Sequence, residues 1–142
     1  MITTEEIGVR VFHLLKNSKV KSMITGSIGY QRDDYSNEDV VIVPHAITGE
    51  DSIRFGQIKV NIHVPDIVDK ESKKKPSYKI DTKRLIEIRK EVINILKNHY
   101  EKGQGYNWTI GLISPPLKEP DHNEHFVSVS LDITARYKKN KQ

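Results

Sequence analysis

Residues 57–64, QIKVNIHV, alternate strictly between polar and apolar side chains, and that period of two decides the class of fold. Ile58, Val60, Ile62 and Val64 fall on one side of an extended chain, and Gln57, Lys59, Asn61 and His63 on the other. Such a strand has one buried and one wet face, as antiparallel sheets do. Two later stretches repeat the pattern: Val127, Val129, Leu131, Ile133, Ala135 and Tyr137 alternate with polar residues, and so do Tyr106, Trp108, Ile110 and Leu112. The run Val40-Val41-Ile42-Val43 reads as a more central strand ended by Pro44, with a weaker strand, Ser27-Ile28-Gly29-Tyr30, before it.

Two segments instead carry the helical period. Thr3 and Glu6 have capping-box spacing, and Ile7, Val11, Leu14 and Leu15 follow on one face until Asn17-Ser18. From about Thr82 to about His99, Asp81 is positioned to cap, and Leu85, Ile88, Val92, Ile95 and Leu96 form a wide apolar stripe that Gly103 and Gly105 terminate. The predicted order is α-β-β-β-α-β-β. That is an α+β domain with a largely antiparallel sheet of about five strands and both helices on one face.

The chain has 142 residues, 36% of them hydrophobic and 30% charged, enough for one core and few for two. One domain over 1–137, a charged loop at 65–81 and a basic tail at 138–142 are expected. There is no cysteine, which excludes disulfides, thiolate metal sites and a Cys nucleophile. No apolar run approaches the ~20 residues of a membrane span. The first residues, MITTEEIGVRVFHLL, carry acids where a secretory leader carries bases, so a cytosolic address is expected.

The net charge of +4 is unevenly placed. Between residues 69 and 84, Lys70, Lys73, Lys74, Lys75, Lys79, Lys83 and Arg84 outnumber Asp69, Glu71 and Asp81, and Arg136, Lys138, Lys139 and Lys141 end the chain. The body is therefore mildly acidic. The 65–81 segment has few apolar residues to offset the entropy of ordering, so it reads as a solvated arm for partner contact. Lys70, Lys73, Lys74, Lys75, Lys79, Arg136, Lys138 and Lys139 are the predicted contact residues.

Several enzyme patterns are incomplete. A nucleotidyltransferase places Gly-Ser after a helix and then carboxylates at i and i+2 on a strand, where they share a metal. Gly26-Ser27 and Asp39 fit, but Asn37 and Asn61 stand where the other carboxylates belong, and Glu38 points away from Asp39. Asp66 with Glu71-Ser72-Lys73 has the letters of a nuclease signature without a second strand to carry it. Gly26-Ser27-Ile28-Gly29 has the letters of a KH loop but opens a strand. His122 and His125 lie close enough in sequence to share a surface metal, although a polar turn accounts for both. Nucleic-acid binding through the lysines, with Tyr78, Tyr137 or Trp108 stacking on bases, is the main alternative, but Trp108 and Tyr137 belong to the apolar side of their strands. No catalytic residue, metal site or cofactor is predicted.

Two segments carry a family resemblance: Ser36-Asn37-Glu38-Asp39-Val40-Val41-Ile42 and Val60-Asn61-Ile62-His63-Val64-Pro65-Asp66. With the order of elements over nearly the full length, they make the chain resemble phage tail-completion proteins, or tail terminators, in particular prophage-encoded members from the Bacteroides group. The resemblance implies a small α+β protein without an active site. It would form a ring, usually hexameric, that caps the tail tube and meets the head connector. Its partners would be itself, tube and connector proteins, with no small-molecule substrate and no membrane. It would be found in the bacterial cytoplasm during assembly and in the virion tail afterwards. A nucleic-acid-binding module and a degenerate nucleotidyltransferase-like protein are the rival readings.

Overall fold

A computed structural model describes residues 2–32, 34–49, 52–69 and 77–136. The fold is α+β, with helices α1 (Thr4–Lys16), α2 (Lys19–Met23) and α3 (Thr82–Lys97). The strands are β1 (Ile28–Gly29), β2 (Asp39–Thr48), β3 (Ile53–Pro65), β4 (Ile67–Asp69), β5 (Ser77–Lys79), β6 (Tyr106–Ile113), β7 (Leu117–Lys118) and β8 (Glu124–Arg136). The main sheet runs β1-β2-β3-β8-β6, with β7 also paired to β8. All its described ladders are antiparallel except β1 with β2.

The alternation seen in the sequence is the alternation of burial. Ile58, Val60 and Ile62 of β3 and Val127, Val129 and Leu131 of β8 are buried, and they join Ile7, Val11 and Leu15 of α1 and Leu85, Ile88, Val92 and Leu96 of α3 in one core. Both long helices therefore cover the same face of the sheet. Thr3 accepts from the Glu6 N–H and Asp81 from the Arg84 N–H, so the two expected N-caps are made. Trp108 is core, its indole N–H donating to the Leu96 carbonyl at 3.0 Å.

Three local expectations are corrected. Ser18 ends the first helix only to cap α2, accepting from Val20 N, and this extra turn buries Val20. Pro44 does not stop β2, which runs on to Thr48 with a register shift between Pro44 and Ile47. The ladder tolerates proline there because β1 pairs only with Val40 and Val41, leaving β2 an edge strand beyond them. Residues 65–81 are not simply a loop: Ile67, Val68 and Asp69 pair with Lys79, Tyr78 and Ser77 in a separate two-stranded ribbon. The 115–124 connection contains β7, which pairs Leu117 with Phe126 and Lys118 with His125.

The stretch from Glu124 to Arg136 would extend roughly 40 Å as a straight strand. It must bend or project from a globule whose radius of gyration is about 14–15 Å. β8 keeps an unbroken register with the equally long β3, from Pro65–Glu124 to Ile53–Arg136, and the shifts fall in the flanking β6 and β2 ladders instead. Ile53 and Phe55 are exposed toward the far end of this long pair. Among the described residues no helix is long and apolar enough to cross a membrane.

Candidate functional site

The face of the sheet turned away from the helices carries a buried cluster of charged side chains. Asp39 heads β2, directly opposite His63 on β3, and His63 lies opposite Phe126 on β8. Glu124 heads β8, two residues before Phe126 and on the same face. The strand period that sends Val40, Ile62 and Val127 into the core thus sends Asp39, His63 and Glu124 to the other side.

Arg32, in the connection between β1 and β2, closes over them. Its Nε donates to Asp39 Oδ2 at 2.7 Å and its Nη2 to Glu124 Oε2 at 2.8 Å, while Nη1 donates to Glu124 Oε1. The Arg32 side chain is 7% exposed and that of Glu124 0%. Burial by itself lowers the Arg32 pKa, but the hydrogen bonds and charges of Glu124 and Asp39 outweigh it and raise the value above its ordinary one. Tyr35 covers the group: Arg32 lies 4.7 Å from its ring centroid, and His122 stacks on the same ring at 3.7 Å. Asp34 accepts from Ser36 N at 2.8 Å, the Asx turn that presents Tyr35.

His63 faces two carboxylates. Its Nδ1 lies 3.2 Å from Glu124 Oε1 and 3.6 Å from Glu119 Oε2. Its ring packs on Phe126, with centroids 4.9 Å apart. Burial, and then the Arg32 charge, lower the His63 pKa more than Glu124 and Glu119 raise it. Glu119 and Glu124 reach His63 together because Glu119 N donates to the Glu124 carbonyl at 3.1 Å and closes the intervening turn.

The Gly26-Ser27 turn holds Asp39. Ser27 N donates to Asp39 Oδ1 at 2.8 Å, and a Cβ on Gly26 would come within 2.0 Å of that oxygen. Both Asp39 oxygens are therefore engaged. Glu38 points to the opposite side, as the strand period requires, and Arg84 grips it with Nε at 2.6 Å and Nη2 at 3.0 Å, fastening α3. The residue across from Asp39 is His63, whereas Asn61 pairs with Val41. The position across from Asp39 is thus two residues along β3 from Asn61, where the sequence alone placed it.

A second buried carboxylate fastens the helices to β6. Glu101 Oε1 accepts from Arg10 Nε at 2.6 Å and from the Tyr106 hydroxyl at 3.3 Å, with His99 Nε2 3.3 Å away. Burial would raise the Glu101 pKa, but Arg10 and His99 bring it below its ordinary value. Burial, joined by Glu101, pushes the Tyr106 hydroxyl up to about 12. Glu101 and Tyr106 also line a cavity of about 380 Å³ whose rim includes Arg136.

Of the predicted contact residues, Lys79 lies on β5 with Nζ 2.9 Å from Asp69 Oδ2, and Arg136 ends β8 at the far end of the strand from Glu124. The 13 residues of strand from Glu124 to Arg136 span roughly 40 Å, so the ribbon's attachment and Arg136 are not neighbours. Lys70, Lys73, Lys74, Lys75, Lys138 and Lys139 lie outside the described residues, as do Tyr137 and the Glu71-Ser72-Lys73 part of the nuclease pattern. Asp66, its first member, pairs with His125 Nδ1 at 2.7 Å. His122 and His125 therefore part company, one to Tyr35 and one to Asp66.

No protein-family model matches the chain, and the comparison with curated proteins gives no significant match. What the cluster does must be read from its own chemistry. A carboxylate held at both oxygens by arginine is an anchor, a poor general acid or base. Among the described residues no hydroxyl is hydrogen-bonded to His63, so its neighbours do not compose a nucleophile and base pair.

Proposed function

We propose that this chain is a non-enzymatic structural subunit of a phage or prophage tail, similar to the tail terminators. Copies of it associate into a ring that caps the tail tube and meets the head connector, first in the bacterial cytoplasm and then in the virion.

The observation that carries this reading is the β4–β5 ribbon. Among the described residues it pairs with no strand of the main sheet, and two strands of three residues are too short to be stable in water alone. Yet Ile67, Val68 and Tyr78 on it are each about half exposed. An apolar ribbon of this kind gains stability when a neighbouring subunit covers it. The other side of the sheet offers a second contact, because β6 is an edge strand and Leu112 on it is 72% exposed, with Ile113 and Leu117 close by in the chain. The non-enzymatic half of the reading is supported by Asp39, whose oxygens are taken by Ser27 and Arg32.

The experiment is genetic and visual. Particles induced from a host lacking this gene are examined by electron microscopy. Tails of unregulated length, or tails that fail to join heads, are expected. Complete, infectious particles in normal yield would contradict the proposal.

A further inference from the structure

We propose that His63, Glu119 and Glu124 form a binding site for one divalent transition-metal ion, with zinc the best fit. The proposal is independent of the assembly reading, since it concerns how the β7–β8 turn is held to β3.

The geometry is that of ligands around one ion. His63 Nδ1, Glu119 Oε2 and Glu124 Oε1 lie within 4.8 Å of one another, with separations of 3.2 and 3.6 Å from the imidazole nitrogen to the two oxygens. Donors about 2.0–2.1 Å from a tetrahedral zinc are separated from each other by roughly 3.3 Å. Two of the three edges are already near that length. Glu119 is the ligand with room to adjust, its side chain being 23% exposed.

Charge points the same way. The cluster holds the carboxylates of Asp39, Glu119 and Glu124 against one guanidinium, Arg32. One divalent ion cancels the remaining two negative charges where Glu124 is sealed from water. His63 Nδ1, which can carry one proton at most, faces two carboxylate oxygens at once. A metal ion takes the nitrogen lone pair and serves both oxygens, releasing that proton to solvent when Nδ1 carried it.

The supporting groups are also those a metal centre uses. Arg32 fixes the Glu124 carboxylate at both oxygens, and the packing of Phe126 on the imidazole sets the ring plane. Asp121, at φ 63°, makes the left-handed turn that brings Glu119 back over Glu124. One imidazole and two carboxylates suit zinc, whereas calcium requires six to eight oxygens.

The test uses the full chain without a histidine tag, stripped by a chelator and titrated with zinc chloride in a calorimeter, alongside thermal unfolding. One zinc per chain and a raised Tm are expected. Glu119→Gln is the decisive variant, because among the described residues the Glu119 carboxylate meets only His63, so its loss leaves the fold intact. It should weaken zinc at least about tenfold, and His63→Gln should do the same. His122→Gln and His125→Gln should leave the affinity unchanged, and zinc-edge absorption spectra should show one imidazole. Calcium should give no heat. Absence of zinc binding to the wild type, wild-type affinity in Glu119→Gln, or loss confined to the His122 and His125 variants would each overturn the proposal.

Discussion

The guanidinium of Arg32 holds the carboxylate of Glu124 at both oxygens, although the two residues stand 92 positions apart and neither side chain meets much water. The pair ties the β1–β2 connection to the first residue of β8, across the open face of the sheet. Its partner on the other side is the Arg84–Glu38 pair, so the adjacent carboxylates Glu38 and Asp39 each answer to an arginine on opposite faces.

Removing one member of the buried pair should be costly. Arg32→Ala leaves the buried Glu124 without its counterion, and a loss of about 3–5 kcal/mol is expected in urea unfolding. Arg32→Lys should recover only part of it, because an ammonium cannot match both oxygens and Asp39 at once. Replacing the pair by Arg32→Met with Glu124→Leu should cost far less than Arg32→Ala alone. Equal stability of Arg32→Ala and wild type would contradict this.

Gly26 should be irreplaceable for a steric reason. A Cβ there would stand 2.0 Å from Asp39 Oδ1 and 2.4 Å from the Glu38 carbonyl, and the carbonyl, as backbone, cannot swing aside. Gly26→Ala is expected to destabilise by about 1–3 kcal/mol, the usual cost of overpacking. Ser27→Ala, which keeps the backbone N–H that serves Asp39, should be nearly neutral. The comparison is made by denaturant midpoints at constant m.

The Glu101–Tyr106 pair sets two limbs of the stability profile. The Tyr106 value is raised from 10.0 to about 12, so between those pH values the folded chain keeps a proton the unfolded chain has lost. Stability from this group is complete below pH 10 and falls as pH rises toward 12. Glu101 is shifted the other way, below 4.5, so its contribution is complete above 4.5 and is lost as pH falls through the lower folded value. Tyr106→Phe should flatten the alkaline limb, read from Tm against pH, and an unchanged limb would refute the assignment.

Much of this architecture was legible in the sequence, because it rests on local periods. The alternations at 57–64, 106–112 and 127–136, the two capped helices and the opposed directions of Glu38 and Asp39 need only the geometry of strands and helices. Short elements carried too little pattern to register: α2 has five residues, β7 has two, and each ribbon strand has three. Pro44 misled because it sits where β2 has lost its outer neighbour. The charged cluster was invisible for a different reason. Arg32, His63, Glu119 and Glu124 meet only through the β2-β3-β8 register, which depends on pairing at long range. One signal was available: His63 on the wet side of its strand and Glu124 at the head of another are both charged or titratable groups next to strongly apolar positions.

Sedimentation velocity from micromolar to millimolar concentration is the most direct test of the claim that the exposed ribbon joins subunits. The wild type is compared with Val68→Asp and Tyr78→Asp, which place a charge on half-exposed positions and should leave the monomer's Tm unchanged. The expected result is reversible association of the wild type, extending to rings under the electron microscope, and a weakening of at least about tenfold in both variants. A wild type that stays monomeric throughout this range, even with tail-tube subunits added, or variants that associate as well as it does, would contradict it.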